Sequence, residues 1–310
     1  MKILLAAPRG FCAGVVRALE TLDEVLEREG APVWVNHEIV HNPHVVDAYA
    51  ARGVVFSDNL GAIPEGATLV ISAHGAPPAL YAEAKRRGLN LVDGTCPLVS
   101  KVHNEVRSQT GRQGRHVLLI GHRDHVEVQG SAGYAEGRCT VIADQEEARA
   151  FRPVAGESYA CAMQTTLSVT ETADILAILR AKIPQLVEPR ESDICYATTN
   201  RQEAVSRIAG SCDAFLVVGG ENSSNSRRLI ELAQHQGCRR TWFVSRGSSI
   251  EPTEFEGVAV LGLASGASTP EPLVQEALTT LSRHFALTIE EISVATETQQ
   301  YRLPRLRQLG

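Results

Sequence analysis

One phrase recurs along the chain: a short apolar run, a turn rich in Gly, His, Ser or Cys, then a helical stretch. Lys2–Ala7 leads into Pro8-Arg9-Gly10-Phe11-Cys12-Ala13-Gly14 and a periodic helix, Val15–Glu29. Val33–Val35 leads into Asn36–Asn42, Thr68–Ser72 into Ala73-His74-Gly75, and His116–Ile120 into Gly121-His122-Arg123-Asp124-His125. Ala214–Val218 leads into Gly219–Ser226, and Val258–Leu263 into Ala264–Pro270. Continuous apolar runs alternating with amphipathic helices specify an α/β fold with parallel sheets covered on both faces. In such sheets ligands gather beyond the carboxyl ends of the strands, where the polar turns of this chain fall.

Cys12, Cys96 and Cys195 recur at wide, near-even intervals, each where a loop runs into a helix. This rhythm predicts three small α/β units, near 1–96, 97–194 and 195–285, followed by a tail, 286–310. The tail ends polar, with Arg302, Arg305 and Arg307. It is expected to cap the fold or wrap over it.

Composition narrows the function. Thirty Lys and Arg against thirty-six Asp and Glu give a net charge of −6, and only 5% of residues are aromatic. Neither a basic field nor a stacking surface for nucleic acid is expected. No apolar run is long enough to span a bilayer, and the first residues read as a strand rather than a signal peptide. A cytoplasmic protein is the expectation.

The seven cysteines show no Cys-x-x-Cys spacing, so a disulfide framework is disfavoured. Cys139, Cys161, Cys212 and Cys238 read as small buried hydrophobes. Cys12, Cys96 and Cys195 differ, because a helix N-terminus favours the thiolate, the form that binds metal. Three thiolates leave one metal position open. That suits catalytic zinc or a cubane iron–sulfur cluster, and spacing does not choose between them. Three capped helix starts with incidental cysteines would give the same pattern.

Asn222-Ser223-Ser224-Asn225-Ser226 follows a strand and opens a helix, supplying more hydroxyl and amide groups than one N-cap needs. An anion site follows. Ser265-Gly266-Ala267-Ser268-Thr269-Pro270 repeats the logic, and no Walker A lysine accompanies either. His41, His74 and His125 each follow a strand, and every histidine but His235 and His284 precedes residue 126. Glu127 reads either as an acid for a departing hydroxyl or as a solvent-facing carboxylate. Thr165 is ambiguous between proton relay and capping, while Ser168 reads as a cap.

Taken in order, Arg9–Val15, Glu38–Asn42, Ser72–Gly75, Thr95–Val99, Gln164–Ser168, Asp193–Gln202 and Asn222–Ser226 resemble the 4-hydroxy-3-methylbut-2-enyl diphosphate reductase family. The resemblance runs from residue 2 to about 285. It implies a trefoil of three α/β units with mainly parallel sheets around a central 4Fe-4S cluster. Cys12, Cys96 and Cys195 match the cluster ligands. His41, His74, His125, Ser223, Ser224, Asn225 and Ser268 match the diphosphate-binding set. Glu127 matches the proton donor and Thr165 its hydroxyl partner, beside His125. The implied reaction is reductive dehydroxylation of the allylic diphosphate to isopentenyl and dimethylallyl diphosphate, the last step of the non-mevalonate isoprenoid pathway. No flavin or nicotinamide fingerprint is present, so an external donor of ferredoxin or flavodoxin type is implied. Val126 stands where the family often has Pro, Met163 where Thr is common, and Ala264-Ser265 where Thr-Ala is frequent. A zinc-dependent hydrolase of a phosphorylated metabolite and a non-catalytic iron–sulfur sensor are the competing readings. Iron and acid-labile sulfide separate the first from the family reading, and turnover separates the second.

Overall fold

A computed structural model describes residues 1–305; Arg307 and the rest of the tail beyond Arg305 lie outside the described residues. In chain order the elements open with β1 (Lys2–Ala7), α1 (Ala13–Glu29), β2 (Val33–Asn36), α2 (Pro43–Ala50), β3 (Val54–Ser57), β4 (Thr68–Ile71), α3 (Pro78–Arg86) and β5 (Asn90–Asp93). There follow α4 (Pro97–Arg107), β6 (His116–Ile120), α5 (Val126–Gly133), β7 (Cys139–Ile142), α6 (Gln145–Ala150), β8 (Tyr159–Met163) and α7 (Val169–Lys182). The last are α8 (Tyr196–Ala209), β9 (Ala214–Val218), α9 (Ser224–His235), β10 (Arg240–Val244), β11 (Val260–Ser265), α10 (Glu271–Ser282) and β12 (Thr288–Ser293). Among the described residues no helix is long and apolar enough to cross a membrane.

The expected α/β class holds: the strands form three sheets, in the orders β10-β9-β11-β1-β12, β3-β2-β4-β5 and β7-β6-β8, and every pairing is parallel. The chain divides into two compact units. One comprises Met1–Val16, Val40–Ala48 and Tyr196–Gln300. The other comprises Arg17–Ile39, Tyr49–Cys195 and the described chain from Tyr301 on.

The first unit holds the five-stranded sheet. Side chains alternate across a strand, and both faces of this one are covered. Ile3, Leu5, Leu216, Leu261 and Leu263 pack with Val274, Ala277 and Leu281 of α10. Leu4, Ala6, Phe215, Val217 and Ala264 pack with Val205 and Ile208 of α8 and Leu229 of α9. Double coverage explains why these strands are apolar throughout. The start of the expected tail is instead a strand, β12, which pairs with β1 from Lys2↔Thr288 to Ala7↔Ser293. Its sequence, Thr-Ile-Glu-Glu-Ile-Ser, carries no apolar run because it is an exposed edge. Lys2 pairs there with Glu290 at 2.7 Å, and charge on an edge strand discourages pairing with another chain.

The second unit holds the other two sheets. Around β6, Leu118, Ile120, Tyr159 and Met163 pack with Ile175 and Leu179 of α7. On the opposite face Val117, Leu119, Ala160 and Ala162 meet Val102 and Val106 of α4 and Val128 of α5. Leu69 and Ile71 of β4 pack with Ala76 and Ala84. Arg17 anchors the chain beyond Tyr301 by donating to the Arg302 carbonyl at 2.9 Å.

Gly262 in the middle of β11 has a packing cause. A Cβ there would stand 2.4 Å from the Phe215 ring and 2.9 Å from Cys212 Sγ. Gly262→Ala is therefore expected to overpack this face and cost about 1–3 kcal/mol of stability, read as a lowered midpoint in scanning calorimetry. An unchanged midpoint would refute this close approach.

Candidate functional site

In the first unit the Cys12 turn is fastened at three points. Gly10, at φ +70°, donates its N–H to Ser265 Oγ at 3.0 Å. Its carbonyl accepts from Arg201 Nη2 at 2.8 Å. Cys12 N donates to the Ala267 carbonyl at 3.1 Å, and the Cys12 carbonyl accepts from Val16 N as α1 begins. Arg201, 1% exposed, also donates to the Ala197 carbonyl at 2.9 Å and pairs with Glu297 at 3.0 Å. The sequence motif contained Arg201 but gave no sign that it reaches the turn next to Cys12.

The same unit assembles the polar turns that follow β9 and β11. Ser268 Oγ donates to the His41 carbonyl at 3.0 Å. Gly220 lies against that carbonyl so closely that a Cβ would come within 2.7 Å of it. Ser223 caps α9: its Oγ accepts from Ser226 N at 3.3 Å and from Ser226 Oγ at 3.0 Å. Capping thus accounts for Ser223, and Asn225 is different. It is 3% exposed, and neither Oδ1 nor Nδ2 has a hydrogen-bond partner among the described residues. An amide buried without partners costs free energy unless a ligand or water completes it. It sits in the first turn of a twelve-residue helix, where backbone N–H groups and the helix dipole favour an anion. His41, Ser223, Ser224, Asn225 and Ser268 all belong to this unit, and each is at most 9% exposed.

The second unit holds the other expected site residues, Cys96, Cys195, His74, His125, Glu127 and Thr165. Cys96 occupies the N-cap of α4 with no side-chain capping bond, Pro97 follows at the first helical position, and Cys96 N donates to the Ala73 carbonyl at 3.0 Å. Cys195 N donates to the Thr165 carbonyl at 3.0 Å. Each cysteine is thereby tied to a turn bearing another expected site residue, His74 in one case and Thr165 in the other. The rings of His74 and His125 stand edge to face with centroids 6.0 Å apart. His37 extends the row, 6.1 Å from His74, in a left-handed conformation (φ +56°) with Nδ1 3.0 Å from Asp58 Oδ1. His37 was not among the expected site residues. A non-glycine at positive φ is visible only in the backbone.

His125 caps α5: its Nδ1 accepts from Glu127 N at 3.2 Å. That bond fixes the neutral tautomer, leaving Nε2 as the protonated nitrogen. Val126 opens the helix at the position where proline is usual. Glu127 is not solvent-facing; it is 2% exposed. Its Oε1 accepts from Thr165 N at 2.6 Å and its Oε2 from Thr165 Oγ1 at 2.9 Å. Burial pushes this carboxyl up to about 7, Thr165's two hydrogen bonds oppose the rise, and the charge of Asp193 adds to it. Asp193, also missed, is 3% exposed, accepts from Met163 N at 3.0 Å and lies 3.4 Å from Lys101 Nζ. Burial raises its pKa too, and Lys101 works against that. Ser168 caps α7, accepting from Glu171 N at 3.2 Å.

The remaining cysteines behave as sequence neighbours suggest. Burial holds Cys161 and Cys212 up to about 12 and Cys139 up to about 11, and it raises Cys238 as well. Cys161 and Cys238 are buried and Cys139 and Cys212 partly so, and burial favours the thiol form at each.

A family model described as LytB protein matches residues 3–282. The chain belongs to the LytB family. Within it, the 4-hydroxy-3-methylbut-2-enyl diphosphate reductase of Gluconobacter oxydans (strain 621H) is 49% identical over 308 residues, covering 98% of this chain and 92% of that protein. The 4-hydroxy-3-methylbut-2-enyl diphosphate reductase 2 of Rhodopseudomonas palustris is 46% identical, covering 99% and 96%. Among solved structures, the E-1-hydroxy-2-methyl-but-2-enyl-4-diphosphate reductase from Plasmodium falciparum superposes with a TM-score of 0.93 at 32% identity, over 97% of this LytB chain and 95% of that one.

The Glu127 environment of this LytB chain has a stability consequence with a definite sign. An exposed glutamate titrates at about 4.3, so between that value and about 7 the folded chain holds a proton that the unfolded chain has lost. Stability therefore falls as pH rises through this window, by on the order of 3 kcal/mol in all. Glu127→Gln removes the loss. The unfolding midpoint of Glu127→Gln is expected to gain on that of the unsubstituted chain between pH 5 and pH 8. A pH-independent difference would contradict the buried carboxyl.

Proposed function

We propose that Cys12, Cys96 and Cys195 hold a central 4Fe-4S cluster and that His41, His74, His125, Ser223, Ser224, Asn225 and Ser268 bind the substrate diphosphate. Glu127 and Thr165 deliver the proton. The trefoil layout about the cluster implied by the motifs belongs to the same proposal. The chain is an oxidoreductase. It removes the hydroxyl of 4-hydroxy-3-methylbut-2-enyl diphosphate reductively, yielding isopentenyl and dimethylallyl diphosphate at the last step of non-mevalonate isoprenoid biosynthesis.

The observation that carries the assignment of roles is the Glu127–Thr165 pair. A carboxyl titrating near 7 is protonated often enough at neutral pH to act as an acid and is easily deprotonated in doing so. Thr165 grips both oxygens, so the acid is aimed before substrate arrives. The C–O bond breaks, the oxygen leaves as water with the proton of Glu127, an external donor supplies two electrons, and a second proton adds to the allyl carbon. A cluster on three thiolates supplies single-electron delivery and an open iron as Lewis acid, which zinc cannot combine.

The residues present fit both groups. The three proposed ligands stand at loop-to-helix junctions, and burial keeps the other four cysteines protonated. Asn225 offers an amide donor without a partner, and Nε2–H of the neutral His125 is a second donor for phosphate oxygens. A reductant of ferredoxin or flavodoxin type fits an enzyme acting in the cytoplasm whose sequence carries no flavin or nicotinamide fingerprint.

Anaerobic purification with iron and sulfide quantitation is expected to give four of each per chain, a stoichiometry characteristic of a 4Fe-4S centre. Zinc without sulfide would overturn the assignment. Glu127→Gln is expected to leave the visible spectrum intact while lowering kcat by about 10²–10⁴-fold. Cys195→Ser is expected to bleach it. Asn225→Asp places a carboxylate beside the diphosphate, and its KM is expected to rise with iron content unchanged; an unaltered KM would remove Asn225 from the binding set.

A further inference from the structure

Ser226 follows Ser223–Asn225 in the first turn of α9 and is wholly buried. Its hydroxyl fills a slot between two glycines. A Cβ at Gly219 would stand 2.5 Å from Ser226 Oγ, and one at Gly266 would overlap it. Gly219 follows β9 and Gly266 follows β11, so the slot forms where two paired strands end. The glycines admit the hydroxyl but give it no partner. Among the described residues, Ser226 Oγ bonds only to Ser223 Oγ, at 3.0 Å.

The direction of that bond follows from burial. If Ser223 donated, the Ser226 hydrogen would be left unpaired in a buried slot, which buried donors avoid. Ser226 therefore donates. Ser223 Oγ accepts from it and also from Ser226 N at 3.3 Å. A hydroxyl has two acceptor positions and one hydrogen, so both acceptor positions of Ser223 are filled. Its backbone is engaged as well: the N–H donates to the Gly220 carbonyl at 3.0 Å, and the carbonyl accepts from Arg227 N at 3.1 Å. What Ser223 has left is its O–H, held to the single tetrahedral direction that the Cβ bond and the two accepted hydrogens leave.

We propose that Ser226 is a positioning residue that turns Ser223 from a cap into an oriented donor, so that the start of α9 selects ligand oxygens that only accept, as those of an ionised diphosphate do. The proposal rests on the reading of this helix start as part of the diphosphate site. Ser226, at 0% exposure, acts through Ser223 and not on the ligand. Because the Ser223 hydroxyl is oriented in the free protein, no rotor has to be ordered when the diphosphate arrives. Gly219 and Gly266 belong to the same device, since a side chain at either would evict the Ser226 hydroxyl.

The test is calorimetric titration of cluster-loaded enzyme with inorganic pyrophosphate, alongside steady-state kinetics with dithionite and a mediator dye. Ser226→Ala keeps the backbone N–H that Ser223 caps but frees the Ser223 hydroxyl to rotate. Its Kd for pyrophosphate and its KM are expected to rise about three- to tenfold, the cost of ordering one side chain on binding. The loss should appear in KM and not in kcat, with iron content and visible spectrum unchanged, a split that general loss of structure would not give. Gly266→Ala displaces the same hydroxyl and should weaken binding equally. Ser226→Ala combined with Gly266→Ala should bind no more weakly than either alone, because both remove one device. A wild-type Kd in Ser226→Ala beside a weakened Ser223→Ala would overturn the proposal, and so would additive losses in the double variant. A wild-type Kd in Ser223→Ala would instead remove Ser223 from the diphosphate set and overturn the reading beneath.

Discussion

Parallel pairing is the constraint from which the site follows. Within each sheet it brings the carboxyl ends of the strands to one edge, so the loops leaving them share that edge. In the five-stranded sheet the register Leu5↔Leu263 and Leu263↔Leu216 brings together the turns after β1, β9 and β11. Those turns carry Cys12, Ser223–Asn225 and Ser268. In the three-stranded sheet, Ile120↔Met163 does the same for the turns that carry His125 and Thr165. The chemistry-bearing residues are far apart in sequence, but within each sheet the hydrogen-bond ladder leaves them few other places to be.

Two buried carboxyls in the second unit show how neighbours divide roles. Burial raises the pKa of both Glu127 and Asp193. Asp193 has Lys101 at 3.4 Å and accepts from Met163 N, which favours its charged form. Glu127 accepts from Thr165 N and Oγ1, and its own N–H donates to His125 Nδ1. Burial, with the Asp193 charge, outweighs the Thr165 bonds and raises its pKa to about 7. Asp193 holds the strand end next to Gln164 and Thr165, and its charge helps keep Glu127 protonated. Separating two carboxyls in this way is the general route by which one becomes an acid and the other a fixed charge.

The sequence made the strands and their polar turns legible because covered parallel strands are apolar without interruption and the helices after them are periodic. It made Ser168 legible as a cap, because that bond is local. It hid whatever depends on distant partners. Glu127 could be read as acid or as surface charge until Thr165, from another strand's turn, was seen to hold it. β12 escaped because an exposed edge strand needs no apolar pattern. Nothing local signals the burial of Asp193, since only packing makes a polar group buried. β1 opens the chain yet pairs with β11 and β12, so contiguous segments do not coincide with sheets.

Arg201 shows how far preorganisation extends beyond ligating or reacting groups. Its guanidinium, fully enclosed in the first unit, donates to the Gly10 and Ala197 carbonyls and is neutralised by Glu297. A buried cation is tolerated only when such partners compensate its lost hydration. The Gly10 amide is held by Ser265 at the same time. The turn that presents Cys12 is therefore fixed by side chains from α8 and β11 and by the segment after β12. The entropy of ordering that loop is met by folding, so it need not be supplied when a ligand binds. Folding and the presentation of Cys12 in this unit thus draw on the same buried ion pair.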